Sequence, residues 1–131
     1  MKNTPLRTLM YVDDEPDIRE IVQLALGLAG NLAVHTCESG ERALALMPQL
    51  KPDLVLLDVM MPDMDGPATI IKMRADATLA HIPVIFMTAK AMPQEVARFR
   101  QLGAIGVIAK PFDPMQLSQQ VFALYENEGH R

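Results

Sequence analysis

"PDLVLLD", residues 52–58, runs apolar without a break between two acids. The run is too short for a helix and lacks the alternation of a strand with one face in water. A strand of this kind is buried on both faces, as in a parallel sheet covered by helices. Outward from it, "LRTLMYV" (6–12), "LAVHTC" (32–37), "IPVIFMT" (82–88) and "AIGVIAK" (104–110) read as four more strands. Helical patterns fill the intervals. Pro16 suits a first helical position, with Glu15 and Asp17 at the positive end of the dipole. Ile18, Ile21, Val22, Ala25 and Leu28 follow at helical spacing until Gly30. Ser39 caps a helix over 39–47 whose end Pro48 disturbs. Further helices are expected over 67–75, from Pro93 to Gly103, and over 112–128 with Asp113 as cap and Pro114 in the first turn. "VMMPDMDG" (59–66) and "ADATLAH" (75–81) read as loops. Strand and helix thus alternate five times, which implies an α/β fold: right-handed crossovers around a parallel sheet, with helices on both faces.

The chain has 131 residues, half of them hydrophobic, which fits one domain with a sizeable core. A net charge of −4 gives no electrostatic case for nucleic acid or an anionic membrane. Asp13 interrupts the N-terminal stretch before a signal-peptide apolar core could form, and no apolar run approaches a membrane span. A soluble, cytoplasmic protein is the expectation. Cys37 has no partner for an internal disulfide and reads as a small buried residue in a strand. His35, His81 and His130 sit on different elements with no ligand spacing and read as structural or exposed.

"LMYVDDEPDIRE" (9–20) ends a strand with like charges side by side: Asp13, Asp14 and Glu15. Adjacent carboxylates repel, more so as water is excluded. In open parallel sheets, ligands sit beyond the carboxyl ends of the strands. Asp13 and Asp14 fall at such an end, and so do Asp58, Thr88 and Lys110. Clustered carboxylates without His or Cys suit a hard, oxygen-preferring cation, and so small a cluster suits magnesium. Carboxylate nucleophile, metal, lysine and hydroxyl together suffice for phosphoryl transfer, which is mostly positioning and charge neutralisation.

"VDDE" (12–15), "LLDVMMPDMDG" (56–66), "PVIFMTA" (83–89) and "AKPF" (109–112), in this order and each at a strand end, resemble a response-regulator receiver domain of two-component signalling. The resemblance covers about residues 7–125 and is closest to the chemotaxis-regulator-like single-domain type, so 1–131 is expected to be a single receiver domain. It implies a flavodoxin-like doubly wound sheet of order 2-1-3-4-5 with five helices, and a cis bond between Lys110 and Pro111. Asp58 would be the phosphoacceptor, Asp14 a direct magnesium ligand, Asp13 mostly a water-mediated one, and the Met60 carbonyl would complete the protein ligands. Thr88 would hydrogen-bond the phosphoryl group and Lys110 would pair with it. A histidine kinase or histidine phosphotransfer protein would be the donor. Output would pass to a protein partner through the face of the fourth helix, fifth strand and last helix, with the chain a monomer or a phosphorylation-dependent dimer.

Three positions depart from the family's habit. Val107 stands where an aromatic residue often swings inward, so a smaller or differently routed conformational change is expected. Met60 and Lys90, which flank the phosphoryl group, are expected to make self-dephosphorylation slow. Met60, Met61, Met64 and Met92 fall in loops of the active rim and are expected to offer an adaptable partner surface. Two rivals stand beside this reading. A phosphatase of the haloacid-dehalogenase kind would carry its nucleophile on the first strand, with a second acid two residues on and usually a cap domain. A phosphorylation-independent pseudo-receiver would bind partners without using the site.

Overall fold

The computed structural model describes residues 5–129. Along the chain run β1 (Thr8–Val12), α1 (Pro16–Gly27), β2 (Ala33–Cys37), α2 (Gly40–Leu50), β3 (Leu54–Asp58), α3 (Gly66–Ala75), β4 (Val84–Thr88), α4 (Pro93–Gln101), β5 (Gly106–Ala109) and α5 (Leu117–Gly129). The strands form one parallel sheet in the order β2-β1-β3-β4-β5. The chain builds outward from β1 to β2, then returns to place β3 on the other side of β1. That reversal opens a crevice at the carboxyl ends of β1 and β3.

Every residue of β3 and of β4 is buried, as an unbroken apolar run requires. β2, at the sheet edge, alternates between exposed and partly covered residues. On one face Met47 of α2, Ile70 and Met73 of α3 and Phe99 of α4 pack on the sheet, and the rings of Phe86 and Phe99 lie 4.8 Å apart. On the other face Val22 and Leu26 of α1 join Leu117 and Val121 of α5. The entry to the sheet is tied by Asp53, whose Oδ2 accepts the N–H groups of Arg7 and Thr8 at 3.0 Å each.

Ser39 caps α2 as expected, its hydroxyl accepting the Arg42 N–H at 3.1 Å. Other boundaries differ from the sequence reading. α1 stops at Gly27, and Leu28 is 72% exposed. Gly30, at φ +94°, serves the connection to β2 and does not stop the helix. α2 continues through Pro48 to Leu50. α5 begins at Leu117: Asp113 caps a separate turn, accepting the Met115 N–H on its carboxylate and the Gln116 N–H on its carbonyl. The Lys110–Pro111 peptide bond is cis. Among the described residues, no helix is long and apolar enough to cross a membrane.

Candidate functional site

β1 carries its ladder one residue past Val12, with the Asp13 N–H on the Cys37 carbonyl at 3.0 Å. The chain then turns sharply, and Asp13 Oδ1 accepts the Glu15 N–H at 3.0 Å. Asp13 is fully buried. Its other oxygen, Oδ2, accepts the Tyr11 hydroxyl at 2.5 Å. Its carbonyl accepts Arg19 Nη1 from the first turn of α1 at 2.8 Å. Asp14 lies on the solvent side of the turn.

β3 delivers Asp58, only 4% exposed, to the same rim. The chain leaves it through the Val59 N–H on the Met87 carbonyl, 3.1 Å, and returns with the Gly66 N–H on the Val59 carbonyl, 2.9 Å. Between these points Asp63 adopts the left-handed region, at φ 68°. Asp65 caps α3 by accepting the Ala68 N–H at 2.9 Å. The return is so close that a Cβ on Gly66 would lie 2.6 Å from the Asp58 carbonyl oxygen. β4 brings Thr88, buried, whose hydroxyl accepts the Lys90 N–H at 3.0 Å. β5 brings Lys110, whose N–H donates to the Thr88 carbonyl at 2.8 Å. Lys110 Nζ lies 2.7 Å from Asp58 Oδ1 and 3.7 Å from Asp13 Oδ2.

One carboxylate oxygen from each of Asp13, Asp14 and Asp58 lies within 4.8 Å of the others. Three carboxylates, two of them buried, against one ammonium leave an excess of negative charge at this rim. Burial pushes the Asp58 carboxyl up to about 6, with Asp13 and Asp14 adding to the rise and the Lys110 ammonium opposing it. Burial alone would lower Lys110, but its hydrogen bond to Asp58 and the charges of Asp58 and Asp13 prevail, so it is raised. Burial, then the Asp13 hydrogen bond and charge, lift the Tyr11 phenol far above its usual range. The donor set is all oxygen and anionic, with no sulfur or imidazole, so it fits a hard divalent cation.

The five side chains picked out from the sequence therefore meet on one rim, with the Thr88 hydroxyl engaged by its own loop. The Met60 side chain points to solvent, 79% exposed. The methionine surface is narrower than expected: Met60 and Met92 are exposed, Met64 is half-buried, and Met61 belongs to the core. His35 and His81 are exposed and away from the rim, and His130 lies outside the described residues. Cys37 is buried, and burial raises its thiol. The sequence reading overlooked Tyr11 and Arg19, and read Gly66 only as part of a turn. Tyr11 was findable, because residues two apart on a strand share a face and a buried phenol needs a partner.

Comparison with known proteins adds the lineage. The family profile described as the response regulator receiver domain matches residues 9–122. Response regulator Rre1 of Synechocystis is 37% identical over 110 residues, which are 84% of this chain and 48% of that protein. Phosphate regulon transcriptional regulatory protein PhoB of Pseudomonas aeruginosa is 34% identical over 94% of this chain and 53% of its own length. The chain thus spans about half the length of these curated relatives. The structure of the chemotaxis response regulator CheY4 of Vibrio cholerae superposes with a TM-score of 0.84 at 28% identity, covering 92% of this chain and 99% of that one.

Proposed function

The chain belongs to the response-regulator receiver family, and from that premise we propose that it is a phosphoacceptor of a two-component phosphorelay, with Asp58 as the accepting residue. One observation carries the reading: Lys110 Nζ stands 2.7 Å from Asp58 Oδ1 beside the carboxylates of Asp13 and Asp14. Asp58 attacks the phosphorus of a phosphohistidine. A bond forms between its carboxylate oxygen and phosphorus, the phosphorus–nitrogen bond breaks, and the imidazole keeps the electron pair. Asp14, Asp58 and the Met60 carbonyl would hold magnesium directly and Asp13 mostly through water, a reading supported by carboxylate oxygens of the three aspartates lying within 4.8 Å of one another. When bound, magnesium supplies charge neutralisation for the acids and the transferring group. Lys110 holds Asp58 in place and then pairs with the phosphoryl oxygens. The buried Thr88 hydroxyl, already accepting from Lys90, donates to the phosphoryl group. Water later hydrolyses the acyl phosphate and restores the carboxylate. The chain catalyses only these two steps on itself.

The donor is a histidine kinase or a histidine phosphotransfer protein, which places the reaction in the cytoplasm. The added charge biases the surface of α4, β5 and α5 toward a protein partner. Met92 and Met115, 55% and 75% exposed in the loops leading into α4 and α5, give that surface adaptable apolar contacts. Incubation with acetyl phosphate and magnesium, read by intact mass, tests the assignment. Wild type gains one phosphoryl group and Asp58→Ala gains none; equal gain by both rejects Asp58. Turnover of a generic phosphate ester by the wild type would instead support a phosphatase.

A further inference from the structure

Tyr11 is fully buried, its ring packed with Leu9, Leu26, Leu56 and Met87 on the α1–α5 side of the sheet. A tyrosine in an otherwise apolar strand brings one polar atom that must find a partner. That partner is Asp13 Oδ2 at 2.5 Å, a short charge-assisted bond. Asp13 Oδ1 is held at the same time by the Glu15 N–H at 3.0 Å. The carboxylate is therefore pinned at both oxygens before any ligand arrives. An alternative donor to Oδ2, the Lys110 ammonium, lies 3.7 Å away and now serves Asp58 at 2.7 Å.

We propose that Tyr11 is a positioning residue for the divalent-cation site: its phenol fixes the Asp13 carboxylate and keeps it from drawing Lys110 off Asp58. This rests on the magnesium reading above. Without the phenol, Asp13 Oδ2 turns to Lys110, the ammonium sits between two acids, and it opposes a cation at the place the cation would occupy. Loss of a second partner to a metal ligand weakens metal binding by about 10–100-fold.

The test is magnesium titration by calorimetry on wild type and Tyr11→Phe, a change that keeps the ring in the core. Tyr11→Phe binds magnesium about tenfold more weakly. Its phosphorylation by acetyl phosphate is slow at low magnesium and returns to the wild-type rate at saturating magnesium. A spectroscopic arm does not depend on that variant folding. The chain has two tyrosines, so in Tyr125→Phe the near-ultraviolet absorbance reports Tyr11 alone. Magnesium shifts that absorbance, because the cation drains charge from the acceptor of the phenol's hydrogen bond. Equal affinity of wild type and Tyr11→Phe, or an absorbance unmoved by saturating magnesium, overturns the role of Tyr11 and leaves the magnesium reading standing. Absence of magnesium binding in the wild type overturns both.

Discussion

Asp58 must be ionised to act as a nucleophile, yet its surroundings favour the neutral acid. Burial is the largest cause, the charges of Asp13 and Asp14 add to it, and the Lys110 bond offsets part, leaving the group at about 6 against an ordinary 3.8. The folded-state value lies above the unfolded one. The protonated form therefore favours folding, fully below about pH 4, and this contribution is lost as pH rises through about 6. The loss is on the order of 3 kcal/mol. In magnesium-free buffer, urea unfolding is expected to show wild type losing stability relative to Asp58→Asn between these limits; a difference independent of pH would contradict the assignment. Two neighbours are expected to govern the later step. Met60, 79% exposed two residues after Asp58, has no group to orient an attacking water, and Lys90, exposed two after Thr88, would offer an ammonium to the phosphoryl group. Met60→Asn and Lys90→Glu are each expected to shorten the half-life of the phosphorylated protein roughly tenfold, about 1.4 kcal/mol of barrier. Unchanged decay in both variants would show that the brake lies elsewhere.

The connection from β3 to α3 carries the proposed nucleophile, and its shape depends on Gly66 and Asp65. A Cβ at Gly66 would meet the Asp58 carbonyl at 2.6 Å, Phe86 Cε1 at 2.9 Å and the Val59 Cα at 3.0 Å. Two of these are backbone atoms and cannot swing aside. Gly66→Ala is expected to cost about 1–3 kcal/mol by overpacking. Because the displaced segment bears Asp58, acetyl-phosphate labelling should slow by up to about a hundredfold. Asp65→Ala loses only a cap, about 1 kcal/mol, and should label nearly as wild type. Similar labelling rates for the two variants would show that the close return does not position Asp58. The sequence revealed this loop only as a turn. Periodicity identified β3 and β4, because burial on both faces leaves an unbroken apolar run. It misled at Leu28, whose spacing continues the helical stripe although the chain has already turned toward the edge strand. Asp113-Pro114 carries the signature of a helix start, yet it closes a separate turn before Leu117. In an irregular loop nothing in the spacing separates Met60, in solvent, from Met61, in the core.

At the scale of the whole molecule, strand order turns five separate sequence signals into one site. β1 and β3 are neighbours at the reversal, β4 and β5 follow outward, and each contributes a terminal side chain. The motifs made the residues that meet on that rim legible. The route by which it reaches the rest of the fold was not, because it depends on which side chains are free to move. Val107, half-buried on β5, stands beside Phe86 in the sheet register, and Phe86 packs on Phe99 of α4. Both rings are buried, so neither can swing without opening the core between β4 and α4. The Thr88 hydroxyl, by contrast, is bonded to the Lys90 N–H at 3.0 Å, at the start of the exposed segment 89–92. Were Thr88 to donate to a phosphoryl group as proposed, the strain would pass first to that segment and the Met92 entry of α4. Saturation with beryllofluoride and magnesium is therefore expected to shift the amide resonances of 89–92 strongly and those of Gly106–Ala109 weakly. Shifts around Val107 as large as those of receivers with an aromatic at this position would show that the fold switches through β5 after all.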